Sequence, residues 1–197
     1  LFEKEAVFDV NFPQNAFPNT RRAEIKIYPN MLAHVAESVE GLLKRPYGCG
    51  EQTTSSTYPN LLILKIEKEL GKNVEPRIKA QAENYLEEGY RRLLNYQTGG
   101  GGFSFWGKTD VPNAALTAYV LRFLRDAEDF TEVDETVVAR AENWLLSRQN
   151  ADGSWDTGKG NRDVSTAYVL RSLSLTAGND AAKRKALQSA IEFLKKR

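Results

Sequence analysis

The residues best equipped for chemistry sit together in Arg45-Pro46-Tyr47-Gly48-Cys49-Gly50-Glu51-Gln52, which holds the only cysteine of the chain. A cysteine thiolate is a strong nucleophile. A glutamine side chain offers a carboxamide carbon. With two residues between them, the Cys49 sulfur can reach the side-chain carbonyl carbon of Gln52 and close a small macrocycle, joining Sγ to Cδ and expelling ammonia. Exchange of an amide for a thioester is uphill in water, so the fold must align the pair. Gly48 and Gly50 permit the tight backbone path this needs. The product is an acyl donor awaiting a nucleophile. Water would destroy it, so it must be kept dry until use. Tyr47, Tyr58, Phe103, Phe105, Trp106, Tyr119 and Trp155 are candidates for an aromatic wall. Glu51 reads equally as a proton shuttle during bond formation and as a cap on the helix that opens there.

Blander readings stand beside this one. Cys49 could be an ordinary buried cysteine, against which its Gly-Cys-Gly-Glu-Gln setting argues. Cys49 and His34 could form a protease dyad, but no Asn or Asp stands out as a third member. Gly99 to Gly102 have the composition of a phosphate loop, yet no Lys-Ser/Thr follows, so a flexible turn is expected. Lys183-Arg184-Lys185 and Lys195-Lys196-Arg197 read as solvated helix faces. One cysteine excludes a disulfide within the chain, and one histidine excludes a His-rich metal site. Lys+Arg is 27 against 26 Asp+Glu, which argues against nucleic-acid or polybasic membrane binding. Hydrophobic residues at 41% and charged residues at 27% place the chain with folded rather than disordered proteins. No apolar run approaches the roughly 20 residues of a spanning helix.

The elements that must position the pair follow from periodicity. Residues 1–29 alternate like strands in Ala6-Val7-Phe8-Asp9-Val10-Asn11-Phe12 and Ala23-Glu24-Ile25-Lys26-Ile27-Tyr28, punctuated by Pro13, Pro18, Asn19 and Pro29. They predict an extended β segment belonging with a neighbouring β-rich domain, since two strands alone are marginal. Residues 30–197 predict a helical domain, with helices near 30–44, 52–70, 75–95, 112–127, 132–149, 163–176 and 181–196. Thr131 and Asp134 stand where a capping pair would, and Pro76 suits a first helical turn. An internal repeat runs through this part. Thr117-Ala118-Tyr119-Val120-Leu121-Arg122 recurs unchanged at 166–171, Ala82-Glu83-Asn84-Tyr85-Leu86 is echoed by Ala141-Glu142-Asn143-Trp144-Leu145, and Gln97-x3-Gly101-x-Phe103 by Gln149-x3-Gly153-x-Trp155. Each unit is an outer helix ending in Gln, a Gly-aromatic turn and an inner helix. Such hairpins bury a core only against their neighbours. The start in mid-pattern at Leu1 and the end at Arg197 read as a piece of a longer protein, truncated at its C-terminus.

The stacked hairpins resemble the α/α-toroid superfamily, in which inner and outer helices close into a ring. The chain carries helices for a partial ring. The Gly-aromatic repeats also occur in terpene cyclases and prenyltransferases of that superfamily, but the acidic cluster or zinc ligands those enzymes need are missing, so here the repeats read as structural. The five residues Gly48-Cys49-Gly50-Glu51-Gln52 match the internal thioester motif of the alpha-2-macroglobulin and complement family. Pro46-Tyr47 and Thr53-Thr54-Ser55-Ser56 look like bacterial members in particular. The resemblance extends to Gly89-Tyr90-Arg91-Arg92-Leu93-Leu94-Asn95-Tyr96 and to the turns at 102–107 and 152–155, and covers residues 22–197.

The resemblance implies the thioester-containing domain of that family: a mainly α, toroid-type fold in which Cys49 and Gln52 form the cross-link and Tyr47, Gly48, Gly50 and Glu51 shape its loop. It implies a shield supplied by another domain, moved by proteolysis, after which the bond acylates an amine or hydroxyl once. The expected role is a broad protease-trapping inhibitor with no cofactor and no metal, acting outside the cell, in the periplasm or anchored to the cell envelope. Its partners would be target proteases or other proteins bound through amide or ester bonds, together with other domains of its own parent protein, and no nucleic acid. Complement members that favour hydroxyls carry a histidine in the loop after the second Gly-aromatic turn. Here that loop runs Asp156-Thr157-Gly158-Lys159-Gly160-Asn161-Arg162-Asp163, which points to amines, lysine above all. Asn161 stands near the matching place. A complement-like opsonin or surface adhesin, a toroid enzyme with a cysteine nucleophile, and a scaffold whose thioester never forms are the rival readings.

Overall fold

Short polar caps decide where most of the helices begin. In this computed structural model of the 197-residue chain, the described residues are 7, 9, 11–15, 17, 19–25, 27, 41–70, 74–156, 161–176 and 180–197, with Leu70 described in its backbone alone. They carry six α-helices: α1 (Gly50–Leu70), α2 (Pro76–Leu93), α3 (Ala114–Ala127), α4 (Glu135–Ser147), α5 (Arg162–Ser174) and α6 (Ala181–Lys195). A 3-10 turn, Leu94–Tyr96, extends α2. The side chains of Asn113, Asp134, Asn161 and Asp180 each accept a backbone N–H of the first turn of α3, α4, α5 and α6. Pro76 opens α2, where its missing N–H costs nothing. The cap of α4 is Asp134 alone, bonded from Thr136 N at 2.8 Å, so this helix starts after the expected 132.

The chain divides into two units, Leu1–Val35 and Ala36–Arg197. In the first, Thr20 donates its N–H and its hydroxyl to the Phe17 carbonyl, and none of the described residues is in a strand. Alternation supplies a face, but a strand exists only through a ladder, and no described residue of the segment makes one. Most of the first alternating run lies outside the described residues. So does most of the helix expected at 30–44; its described end, 41–44, is turn and coil.

In the second unit the helices form two layers. α1, α3 and α5 lie side by side, with α2 against α1, α4 against α3 and α6 against α5. This is the inner and outer arrangement of an α/α toroid. The middle helix, α3, is covered most completely: Leu116, Ala118, Val120, Leu121, Phe123, Leu124 and Ala127 are all buried. Each Leu, Val or Phe side chain fully buried in this way stabilises by roughly 1.5–3 kcal/mol. α5 is barer, with Val164 exposed on it and Leu175 exposed just past its end. Gly89 lets α2 press onto α1, since a Cβ there would lie 2.1 Å from Thr57 Oγ1.

The repeated motifs are stitches between layers. Gln97 Nε2 donates to Gly101 O at 3.0 Å and to Val137 O of α4 at 2.8 Å. Gln149 Nε2 donates to Gly153 O at 2.9 Å and to Ala186 O of α6 at 2.7 Å. Thr117 Oγ1 receives the N–H of Phe103, and Thr166 Oγ1 that of Trp155. Phe103 and Trp155 are wholly buried. The glycine run 99–102, expected to be flexible, is built into this packing. Gly101 has φ +102 and sits against the Arg140 carbonyl, Gly102 lies under the Trp144 ring, and Arg140 Nη2 bonds the carbonyls of Thr98 and Gly99.

Candidate functional site

α1 has an unusual buried face made of Thr53, Thr54, Ser56, Thr57 and Asn60. These residues satisfy part of their hydrogen bonding within the helix: Thr54, Ser56 and Thr57 donate to the carbonyls of Gly50, Gln52 and Thr53 at 2.8, 2.7 and 2.6 Å. The remainder grips the incoming chain. Asn60 accepts from Lys44 N at 3.1 Å and donates to Lys44 O at 2.7 Å. Tyr47 N donates to Ser56 Oγ at 3.2 Å, and Thr53 Oγ1 reaches the carbonyls of Tyr47 and Gly48 at 3.3 Å. Pro46 is buried beneath this clasp. The segment leading to Cys49 is thus laid along the helix that follows it.

The two glycines beside the cysteine do different work. Gly48 has φ +78, a left-handed conformation that disfavours side chains. Gly50 permits close approach: its N–H donates to Phe105 O at 2.9 Å, and a Cβ there would lie 2.5 Å from Ser104 O. The turn is therefore pinned from one side by α1 and from the other by the loop 104–106.

Between them, the Gln52 side chain folds back. Its Oε1 accepts from the Cys49 backbone N–H at 3.1 Å. A Cβ on Gly48 would meet Gln52 Oε1 at 2.1 Å and Cδ at 2.8 Å, so the carboxamide lies directly over the turn. Cys49 is a free, half-buried thiol, and Gln52 is exposed. Gly48 O accepts from Tyr96 Oη at 2.7 Å and Arg92 Nη2 at 3.4 Å, besides Thr53. Glu51 lies in the first turn of α1 rather than at its cap, and Ser55 Oγ donates to it at 3.1 Å. It borders a cavity of about 260 Å³, lined chiefly by Phe105, Leu116, Tyr119 and Tyr168.

The aromatic candidates separate. Phe103 and Trp155 are wholly interior and belong to the Gly-aromatic stitches. Phe105 backs Gly50, while Tyr47 and Trp106 are exposed at 49% and 79%, too open for a wall supplied by this domain alone. Tyr58 stacks on Tyr119 with centroids 5.8 Å apart and planes 8° from parallel. Burial, then its bond to Asp126, pushes the Tyr58 phenol well up. Burial alone would raise the Asp126 carboxyl, but hydrogen bonds from Lys65 and Tyr58 and the charges of Lys65 and Arg122 hold it below the usual carboxylate range. Burial, with Tyr119 beside it, also raises Tyr168.

His34 and the loop residues 157–160 lie outside the described residues. Asn161 is occupied as the cap of α5, accepting from Asp163 N at 2.8 Å and Val164 N at 3.3 Å. Among the described residues, no group of three His, Cys, Asp or Glu is placed to hold a metal ion, and no helix is long and apolar enough to cross a membrane. Sequence reasoning did not assign roles to Thr53, Ser56, Asn60, Arg92 and Tyr96. The signal was the run of small hydroxyl residues after Gln52, which forms neither an apolar nor a charged helix face.

Residues 23–196 match the family described as the A-macroglobulin TED domain. Two curated relatives come from Anopheles gambiae. Thioester-containing protein 1 allele S3 is 30% identical over 202 residues, covering 95% of this chain and 15% of that protein. Allele R1 is 30% identical over 208 residues, covering 97% and 15%. The chain thus spans 15% of the length of these relatives.

Proposed function

Because the chain belongs to the A-macroglobulin TED domain family, we propose that Cys49 and Gln52 form an internal thioester that captures a target nucleophile covalently. The observation that carries this reading is the Gln52 carboxamide, folded back onto the Cys49 N–H at 3.1 Å. In the forming step, Cys49 Sγ adds to Gln52 Cδ, the C–N bond breaks, and the thiol proton leaves with the nitrogen as ammonia. In the capturing step, an acceptor nitrogen adds to Cδ, the C–S bond breaks, and the proton lost by the amine ends on sulfur. The products are a free Cys49 thiol and an amide on Gln52. Each molecule acts once, because Gln52 stays attached.

The acceptors are amines, lysine side chains foremost. The absence of histidine from residues 156–163 supports this, since no imidazole there can carry the acyl group to a hydroxyl. The captured partner is an attacking protease and the setting extracellular. Tyr47, beside the turn, and Trp106, next to the Phe105 that bonds Gly50, are exposed and suit cover by another domain of the same protein. Tyr47, Gly48, Gly50 and Glu51 shape the loop. A surface-labelling, opsonin-like role would use the same bond on hydroxyls.

Intact mass with thiol titration tests the reading on freshly folded full-length protein. The thioester makes it lighter by one ammonia with no titratable thiol, and methylamine restores the thiol and leaves a methylamide on Gln52. A fully titrating Cys49 at unshifted mass overturns it. Faster reaction with glycerol than with methylamine would move the choice to the surface-labelling role.

A further inference from the structure

Gly48 and Cys49 share one peptide unit, and its two polar ends are treated very differently. Its carbonyl, on Gly48, accepts from three donors: Tyr96 Oη at 2.7 Å, Thr53 Oγ1 at 3.3 Å and Arg92 Nη2 at 3.4 Å. Its N–H, on Cys49, makes one bond, to Gln52 Oε1 at 3.1 Å. Tyr96 and Arg92 alone match the two lone pairs of this loop carbonyl, and Thr53 adds a hydroxyl proton shared with the Tyr47 carbonyl at the same 3.3 Å. Arg92 is also placed at some cost: its Nε is buried and has no partner among the described residues.

Hydrogen bonds to a peptide oxygen draw electron density toward it and make the N–H of the same unit a stronger donor. A cationic donor does so more than a neutral one. Gln52 Oε1 is the atom on which charge develops when any nucleophile adds to Cδ. A donor near 3 Å from that oxygen, fixed before reaction, is the geometry of oxyanion stabilisation. The glycine permits it: any Cβ at position 48 would crowd the site of Oε1.

We propose that the Gly48–Cys49 peptide N–H is the oxyanion donor for acyl transfer at Gln52, and that Tyr96 and Arg92 are positioning residues that strengthen it from the far side of the peptide. The inference rests on the thioester reading. It serves both steps, because thiol addition in formation and amine addition in capture each place an electron pair on Oε1 before the C–N or C–S bond breaks. Tyr96 and Arg92 touch neither reacting atom and act through the peptide.

The test uses full-length protein carrying ¹³C at the glutamine side-chain carbonyl. Two quantities are read: the thioester C=O stretch, from the infrared difference before and after methylamine, and the rate of methylamine-driven thiol release. Tyr96→Phe is expected to raise the stretching frequency and slow release about fivefold, a fraction of the ~100-fold that losing an oxyanion donor costs. Arg92→Leu is expected to do the same, and Arg92→Lys to recover most of the rate by returning the charge. Melting temperature, followed in parallel, separates this from loosened structure, which would leave the stretch of the surviving thioester unmoved. The Arg92 pair carries the test if Tyr96→Phe does not fold. Variants that form the thioester with wild-type frequency and rate overturn the inference and leave the thioester reading intact. Wild-type protein that never loses ammonia overturns both.

Discussion

Three turns lead into the three inner helices, and they close their polar groups in opposite ways. At 97–103 and 149–155 a glutamine amide ties its own turn, at Gly101 O and Gly153 O, to the next outer helix, at Val137 O and Ala186 O, and an aromatic ring follows it fully into the core. At 48–52 the glutamine reaches inward, onto the N–H of its own turn, and the neighbouring cysteine stays half-buried. The first kind of turn contributes stability between layers. The second leaves the layers to other residues and turns its amide onto the Cys49 N–H three positions back. Placement of a glutamine amide therefore separates the two layer-joining turns from the turn proposed to react, within the same repeating architecture.

The sharpest way to break this comparison is to remove the sulfur. Cys49→Ala should abolish the ammonia loss and the methylamine-released thiol completely, while changing unfolding free energy by less than about 0.5 kcal/mol; mass spectrometry and denaturant unfolding read the two effects. Trp155→Ala should do the reverse. The ring is wholly buried and its Nε1 bonds Leu145 O at 2.7 Å, so the variant should lose about 3–5 kcal/mol in chemical unfolding. Comparing like with like, Gln97→Ala should lose about 1–3 kcal/mol by leaving the buried Val137 carbonyl without this donor, whereas Gln52→Ala should be close to neutral in stability and inert to methylamine.

The smallest effect concerns the middle of α1, beyond its grip on the 48–52 turn, where Tyr58 meets Asp126 and Lys65 of the same cluster. Asp126 titrates below its usual range in the fold. Its contribution is therefore present above an unfolded value near 3.9 and lost as pH falls through the folded one. Tyr58 titrates above its usual range, so its contribution is present below roughly pH 10 and lost as pH rises through the folded value. Asp126→Asn should flatten the acid limb of the stability profile and Tyr58→Phe the alkaline limb, each by less than about 1 kcal/mol because solvent screens both groups. Unchanged limbs would show that packing alone joins α1 to α3.

Helix order and the outer-turn-inner repeat were legible in the chain because both are local. Periodicity marks a face, and Asn113, Asp134, Asn161 and Asp180 mark starts. The Gln-x3-Gly-x-aromatic pattern announced a repeated turn but not its rigidity, since the Arg140 carbonyl and Trp144 ring that pack against Gly101 and Gly102 come from α4, the next outer helix. Strand-like alternation in 1–29 was read as a β segment, yet a ladder needs a partner that the described residues do not supply. Asn161 looked available at the loop and proved to be a cap. The aromatic wall was the least legible, because residue type cannot say which way a ring faces; Phe103 and Trp155 went to the core.

Residue types and spacing were enough to propose Cys49 and Gln52 as a pair, since a tight turn can bring together a thiol and a carboxamide three positions apart. They were enough, too, for a helical hairpin repeat, because amphipathic period and capping act over a few residues. What needed the folded chain was the environment of that pair. Tyr96 lies 48 positions from Gly48 and the Phe105 carbonyl lies in a loop two elements away from Gly50. Such contacts arise only when α1, α2 and the 104–106 loop pack, because hydrogen bonds between distant segments depend on how buried faces are juxtaposed and leave no periodic trace in the sequence.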